Sequence, residues 1–310
     1  MPLQLRRILV GVANPSARSN RAVKRAMELA HKTGASIELF NSIPSPRTSL
    51  GVVQFETGEL LRTVAAQNSA ALERMAKPLR REELLVETTV MTGRAIHEAI
   101  LRRARSSRAD LIVIESHKHS QFARLLLSQT DFELIRRSPI PLLIVKGHAA
   151  WRSPRVLAAL DPMHAHAKPR DLDGRILEAG RSIAAAMKGS LHLAHIWWPL
   201  AELLPGAVLE PTTLAITPDQ EQRYRKAVRR KFYEAVREYG VPARNRHLRR
   251  GDPGRELPLL AQSLKASLVV MGAVSRSALK RLFIGPTAES VLDNLRCDVL
   301  IIKPEGFRAP

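Results

Sequence analysis

The chain repeats itself. RRILVGVANP at residues 6–15 matches PRVLAALDPM at 154–163, an offset of 148. ADLIVIESHKHS (109–120) matches ASLVVMGAVSRS (266–277), and PLLIVK (141–146) matches the run ending at Lys303, both at an offset of 157. The offset grows by nine, so an insertion lies within the second copy. A period this long means two copies of one domain and not a solenoid. With 310 residues the chain is long enough for two cores. The expected boundaries are 1–149 and 150–310.

Each copy alternates two periodicities. In the first, ILVGVA reads as a strand. Ala22, Val23, Ala26, Leu29 and Ala30 then recur at three and four, the mark of an amphipathic helix that Gly34 stops. SIELF, LLVETTV, DLIVIE and PLLIVK read as further strands. Helices are expected over 58–81, where Pro78 should end or kink the helix, over 95–106 and over 130–137. The second copy gives RVLAAL, LHLAHI, RNRHL, LVVMG and DVLIIK, with helices over 173–188, 219–239, 255–265 and 287–294. In 219–239 the stripe Tyr224, Val228, Phe232, Ala235, Val236 and Tyr239 is expected to pack on the sheet. Residues 198–218, with four prolines and no clean period, form an irregular excursion near the second half's ligand edge.

Apolar strands alternating with helices argue for parallel sheets covered on both faces. The expected fold is therefore α/β: two tandem Rossmann-like domains, each a five-stranded parallel sheet. Right-handed crossovers put every strand's C-terminal end on one edge, where ligands bind at the point of strand-order reversal. Glu115, Asp161 and Gly272 all fall at such edges.

Composition narrows the classes. The one cysteine, Cys297, excludes an internal disulfide and fits a reducing, cytoplasmic location. It enters an apolar run, as a small buried hydrophobe would. No apolar run reaches the roughly 20 residues that span a bilayer. Two arginines before a short apolar run at the start mimic a secretory signal, but a first strand explains them better. The net charge of +20 comes from 49 Lys+Arg against 29 Asp+Glu. Charge of this size attracts anions and can bind nucleic acid or acidic lipid nonspecifically. Yet the basic clusters at 101–108, 223–231 and 244–250 accompany no nucleic-acid motif, and 4% aromatic residues leave few stacking platforms. Nucleic acid is thus not the expected partner.

LVVMGAVSRSALKRLFIGPT (268–287) runs from a strand into a small polar loop and a second glycine. With the repeat, this stretch resembles the universal stress protein family, and the whole chain is similar to its tandem, E-type members. The resemblance covers roughly 5–147 and 154–304. It implies an adenine-nucleotide-alpha-hydrolase-like fold, survival under stress, and domains paired through their last strands as an internal pseudo-dimer. In nucleotide-binding members a loop of glycine, two residues, glycine, nine residues, glycine and serine or threonine holds the phosphates of ATP, and an aspartate after the first strand contacts the nucleotide. On that pattern Gly272 is the first glycine, Ser275 stands at the second and Gly285 is the third. Pro286 takes the serine/threonine place with Thr287 one further on, and Asp161 is the aspartate. The loop RRGDPGRE (249–256), with Gly251 and Gly254, resembles the one near adenine and ribose; MTGRAIHE (91–98) is its counterpart.

The departures weaken phosphate chemistry. Ser275 carries a Cβ that crowds an approaching phosphate. Pro286 has no N–H and no hydroxyl. Two lost donors at about 1.5–3 kcal/mol each are a large loss. Thr287 and the helix starting there restore part of it, and Arg276, Lys280 and Arg281 add positive charge. The first half departs further. Glu115 replaces the first glycine, Lys118 the second and Ser128 the third; Asn14 stands near the aspartate's place, and Thr130 aligns with Thr287. A carboxylate at 115 would repel a phosphate, so only the second half is a candidate for ATP, and a structural turn that kept the shape of a site is the other reading of its loop.

His117 with His119, and His164 with His166 beside Asp161, supply too few ligands for zinc. There is no nucleophile elbow, Walker lysine or paired-carboxylate signature, so at most slow ATP hydrolysis is expected. The expected function is a stress-response protein acting through a small ligand or a protein partner. Its rivals are a nucleotide-independent scaffold, a binder of an apolar ligand and, resting on charge alone, nonspecific nucleic-acid binding.

Overall fold

In the computed structural model of the chain, residues 3–44, 54–116, 127–164, 171–203, 216–273 and 285–307 are described. The first half runs β1 (Arg7–Gly11), α1 (Arg21–Thr33), β2 (Ser36–Ile43), α2 (Gln54–Arg81), β3 (Val86–Thr92), α3 (Ile96–Ser106), β4 (Leu111–Glu115), α4 (Gln129–Arg137) and β5 (Leu142–Val145). The second runs β6 (Arg155–Ala159), α5 (Leu172–Ala186), β7 (Ser190–Trp197), the short α6 (Leu200–Leu203), α7 (Pro218–Val236), β8 (Arg246–Arg250), α8 (Pro253–Ser263), β9 (Leu268–Gly272), α9 (Pro286–Asn294) and β10 (Asp298–Ile302).

Local chemistry sets the boundaries. Asn20 caps α1 by accepting the Val23 N–H, and Gly34 closes it with φ 73°, a left-handed turn that a Cβ would strain. Thr217 and Gln220 form a reciprocal capping box that starts α7. Two prolines behave differently from the sequence expectation. Helix α2 continues through Pro78 to Arg81. The ring forfeits one backbone bond, but Leu72, Ala76 and Leu79 are all buried on the sheet and hold the last turn in place. Helix α8 starts at Pro253, earlier than expected, because Asp252 accepts the Gly254 N–H as its cap; Pro258 then lies inside it.

The strands form one continuous ten-stranded sheet in the order β3-β2-β1-β4-β5-β10-β9-β6-β7-β8. Every pairing within a half is parallel. The one seam between halves, β5 against β10, is antiparallel, with Leu143 opposite Leu300. The expectation of two five-stranded sheets is corrected in this respect: five parallel strands from each half merge through last strands that cover each other's edges. Apolar residues of α1, α2, α5 and α7 build the core on one face, and those of α3, α4, α8 and α9 build it on the other. Within α7 the expected stripe is buried at Val228, Phe232 and Val236, while Tyr224 and Ala235 are half-buried; the helix stops at Val236, short of the expected 239, and the half-buried Tyr239 lies in the 3-10 turn that follows.

A buried polar lock spans the seam. Asp298 Oδ1 accepts the Lys146 and Gly147 N–H groups at 2.8 and 2.7 Å, and Arg25 Nε from α1 donates to its Oδ2 at 2.8 Å. The Arg25 guanidinium lies 4.3 Å over the Trp151 ring. Burial pushes the Asp298 carboxyl pKa upward, against the pull of Arg25 and the two amides. Lys146, also buried, donates its ammonium to the Leu292 and Leu295 carbonyls at the end of α9.

Candidate functional site

The strand order reverses between β1 and β4 in one half and between β6 and β9 in the other. These are the points where adjacent crossovers diverge and leave a crevice beyond the carboxyl ends of the strands. In the second half Ala158 pairs with Val270, so the chain leaves β6 toward Asp161 and leaves β9 at Gly272 on the same edge. Leu160 N–H donates to Ala194 O at 2.8 Å, which fixes the exit from β6. Asp161 is half-buried, and its N–H lies 3.3 Å from Asp173 Oδ1. Burial, then the Glu221 and Asp161 charges, raise the Tyr224 pKa, so Asp161 faces α7.

Helix α9 carries the chain from β9 to β10, so its N-terminus lies at this edge too. Gly285 precedes it with φ 91°, makes no side-chain cap, and is followed by Pro286 at the first helical position. The N–H groups of Thr287 and Ala288 have no carbonyl within the helix to bond, which is the usual geometry of an anion site. The edge thus brings together Asp161, Gly272, Gly285 and Thr287. Gly251 is on the same side but beyond β8, at the rim of the sheet; it has φ 132° and donates its N–H to Trp197 O at 3.0 Å. Ser275, Arg276, Lys280 and Arg281 lie outside the described residues, as do Lys118, His117, His119 and His166.

Two glycines have reasons other than those read from the sequence. Gly272 does not adopt a positive φ; a Cβ there would come 2.9 Å from Leu172 Cδ2 and 3.5 Å from Ile176 Cδ1. Close packing of α5 on β9 is therefore sufficient to require it. At Gly254 a Cβ would come 2.4 Å from Ser290 Oγ, so this glycine lets α8 approach α9 and does not serve a turn.

Glu115, the first-half counterpart of Gly272, is held inward. Its carboxylate accepts the Arg21 N–H at 2.8 Å and Arg21 Nε at 2.7 Å, while Arg21 Nη1 and Nη2 donate to the Lys146 and Ser116 carbonyls. The side chains are only 17% and 18% exposed. The carboxylate was expected to exclude phosphate by repulsion; in the structure it is neutralised, and the pair itself fills the edge. The counterpart of Arg21 is Arg175, which donates Nε to Lys303 O at 2.9 Å and has no carboxylate partner among the described residues.

Sequence reasoning used Lys303 only to align the repeat. It is 4% exposed, donates its ammonium to Ala273 O directly after Gly272, and sits 4.8 Å over the Phe307 ring. Burial lowers its pKa to about 7. The repeated lysine after the last strand of each half was the available signal.

A cavity of about 740 Å³ lies elsewhere, along α8, α9 and the connection between the halves; Trp151, Asp252, Leu259, Gln262, Asn294 and Cys297 are among its walls. Burial pushes the Cys297 thiol up to about 12, so it is not a nucleophile near neutral pH. Among the described residues no three His, Cys, Asp or Glu side chains cluster as a metal site would need, and no helix is long and apolar enough to cross a membrane.

Two repeated α/β halves, each with a strand-order reversal, define a recognisable class. The universal stress protein family model matches residues 4–146 and again 155–303, and the chain belongs to that family in tandem form. Along its length it is similar to "Universal stress protein E" of Photorhabdus laumondii, 26% identical over 310 residues that cover 97% of this chain and 96% of the relative. The protein of the same name from Escherichia coli K12 is 26% identical over 306 residues, covering 96% and 94%. Among solved structures, a functionally unknown protein from Pseudomonas aeruginosa PAO1 superimposes with a TM-score of 0.75 at 27% identity, covering 98% of this chain and 94% of that one. A universal stress protein from Archaeoglobus fulgidus DSM 4304, at 18% identity and TM-score 0.67 over 97% of both chains, shares the fold.

Proposed function

We propose that the protein serves a stress response by binding, with one working edge. Residues 1–149 form one unit and residues 150–310 the other, the ligand belonging to the second, and the two are paired through β5 and β10 in place of a homodimer. The observation that carries this reading is the asymmetry at the strand-order reversals. At the first edge Arg21 pairs with Glu115, whereas at the second Gly272 stands in the place of Glu115 and Arg175, in the place of Arg21, has no carboxylate partner among the described residues. The ligand proposed there is an adenine nucleotide such as ATP, in the manner of an adenine-nucleotide-alpha-hydrolase-like fold. The free amides opening α9 would hold its phosphates, and Asp161 would accept a hydroxyl from the sugar. The role proposed is binding, with slow hydrolysis of the bound nucleotide at most.

Calorimetry of the purified full chain with ATP tests this. Saturable binding of one nucleotide per chain, abolished by Asp161→Ala and unchanged by Glu115→Ala, is the expected result. No heat at millimolar ATP would sink it. A second reading, a nucleotide-independent scaffold, is favoured by Pro286, which removes one amide from the opening turn of α9, and by Leu172 packed over Gly272. Partners recovered equally well with and without ATP would support that reading.

A further inference from the structure

Helix α7 and the edge strand β8 enclose a cleft of about 500 Å³ lined by Trp197, Glu221, Arg225, Arg229, Tyr233, Arg246, Leu248 and Arg250. Its construction follows from two periodicities. Residues 221, 225, 229 and 233 form one i,i+4 ridge of α7, and residues 246, 248 and 250 are the alternate positions of β8 that face it. Four arginines therefore converge from two walls.

None of the four is paired with a carboxylate among the described residues. The carboxylates of α7 are taken elsewhere: Asp219 pairs with Arg223 and Glu234 with Arg230, away from the cleft. Glu221, the one carboxylate among the lining residues, accepts the Leu200 N–H at 3.2 Å. Arg246 gives Nε to Val241 O at 2.7 Å, which leaves its outer nitrogens for another acceptor. Arg229 lies 5.6 Å over the Tyr233 ring, which props its guanidinium.

The fold does not require this charge, and the first half supplies the internal comparison. Strand registers equate Thr88 with Arg246, Val90 with Leu248 and Thr92 with Arg250. In that half the facing helix offers Glu73, which binds both Arg80 and Thr88 and is held at about 2 by them. The same strand and helix thus assemble without unpaired arginines. Gathering four like charges at one cleft opposes folding, and an anion that bridges them removes that opposition.

We propose that the α7–β8 cleft of the second half is a binding site for a multiply phosphorylated small molecule, recognised by Arg225, Arg229, Arg246 and Arg250. Guanidinium forks suit phosphate oxygens. Arg246 and Arg250 stand roughly 13 Å apart along the strand, so the ligand carries its charge over several groups and not at a point. A cleft of this size suits a small molecule. Its lining shares no residue with Asp161, Gly272, Gly285 or Thr287, so the two sites can be tested by separate substitutions.

Inorganic tripolyphosphate is the probe, titrated calorimetrically into the full chain. One saturable site is expected, weakening as salt rises. Arg246→Thr with Arg250→Thr, which installs the first-half residues, should weaken it about tenfold or more, and so should Arg225→Gln with Arg229→Gln. Arg102→Gln with Arg105→Gln on exposed α3 should leave it unchanged. These are surface positions, and an unshifted thermal midpoint would show that each variant folds. Absence of saturable binding overturns the proposal, as does equal weakening by the α3 pair. Loss on Asp161→Ala, with the arginine variants unaffected, would relocate the anion to the other edge and end this inference while leaving the nucleotide reading intact. Binding of duplex DNA or anionic vesicles through the four arginines, without tripolyphosphate binding, would also overturn it.

Discussion

Gly272 and Lys303 sit one above the other at the end of neighbouring strands, and each makes a measurable demand on the fold. If packing against Leu172 is what requires a glycine, Gly272→Ala should destabilise by about 1–3 kcal/mol through overpacking. Leu172→Ala should then relieve the clash, so that the double variant loses less than the two single losses summed in denaturant unfolding. Additive losses would refute the packing account. For Lys303, whose folded pKa of about 7 lies below its ordinary 10.5, the unfolded chain binds the extra proton between those values. Stability contributed through this group therefore rises with pH across that window and is lowest at and below its folded pKa. Lys303→Met should stabilise the protein near pH 7 and lose the advantage toward pH 10, as read by urea midpoints. A pH-independent difference would show that the ammonium is stabilised as a charge at Ala273.

The edge element β8 carries its own pH dependence. His192 Nδ1 and His247 Nε2 lie 3.1 Å apart across β7 and β8, with ring planes 13° from parallel. One ring donates and the other accepts, so two protonated rings would set N–H against N–H. Burial lowers both pKa values, with Arg155 acting on His192, and His192 and Arg249 acting on His247. Below the ordinary value of 6.5 the unfolded chain takes up protons that the folded pair resists, so stability falls as pH falls. Hydrogen exchange should show β8 amides losing protection between pH 7 and 5, with His192→Gln plus His247→Gln removing the slope. Sequence patterns located every strand and the main helices, because period and turn chemistry are local. They misplaced what depends on distant partners: α2 outlasts Pro78 because the sheet holds it, and Gly272 answers to Leu172, one hundred positions earlier. Arg21 and Glu115, 94 residues apart, were likewise invisible as a pair. The edge shared by Asp161 and Gly272 was legible, since the repeat and the βαβ handedness together imply it.

At the scale of the molecule, the halves are joined by backbone pairing and by the buried lock at Asp298. Removing that carboxylate takes from Arg25, 4% exposed, its fully buried anion and leaves it only the half-buried Glu28. Asp298→Ala should therefore cost about 3–5 kcal/mol, seen as a lower thermal midpoint of the whole chain. A loss below about 1 kcal/mol, typical of an exposed pair, would mean that Arg25 finds compensation at Glu28 and Ala149. The antiparallel direction of β5 against β10 has a wider effect. It turns the second half upside down relative to the first, so the crevice beside Arg21 and the one beside Asp161 look out in opposite directions. A molecule seated at one pole cannot brush the other. Any message between them must cross the seam, through the paired strands and the contacts beside them, and two partners could be held back to back by a single chain without meeting.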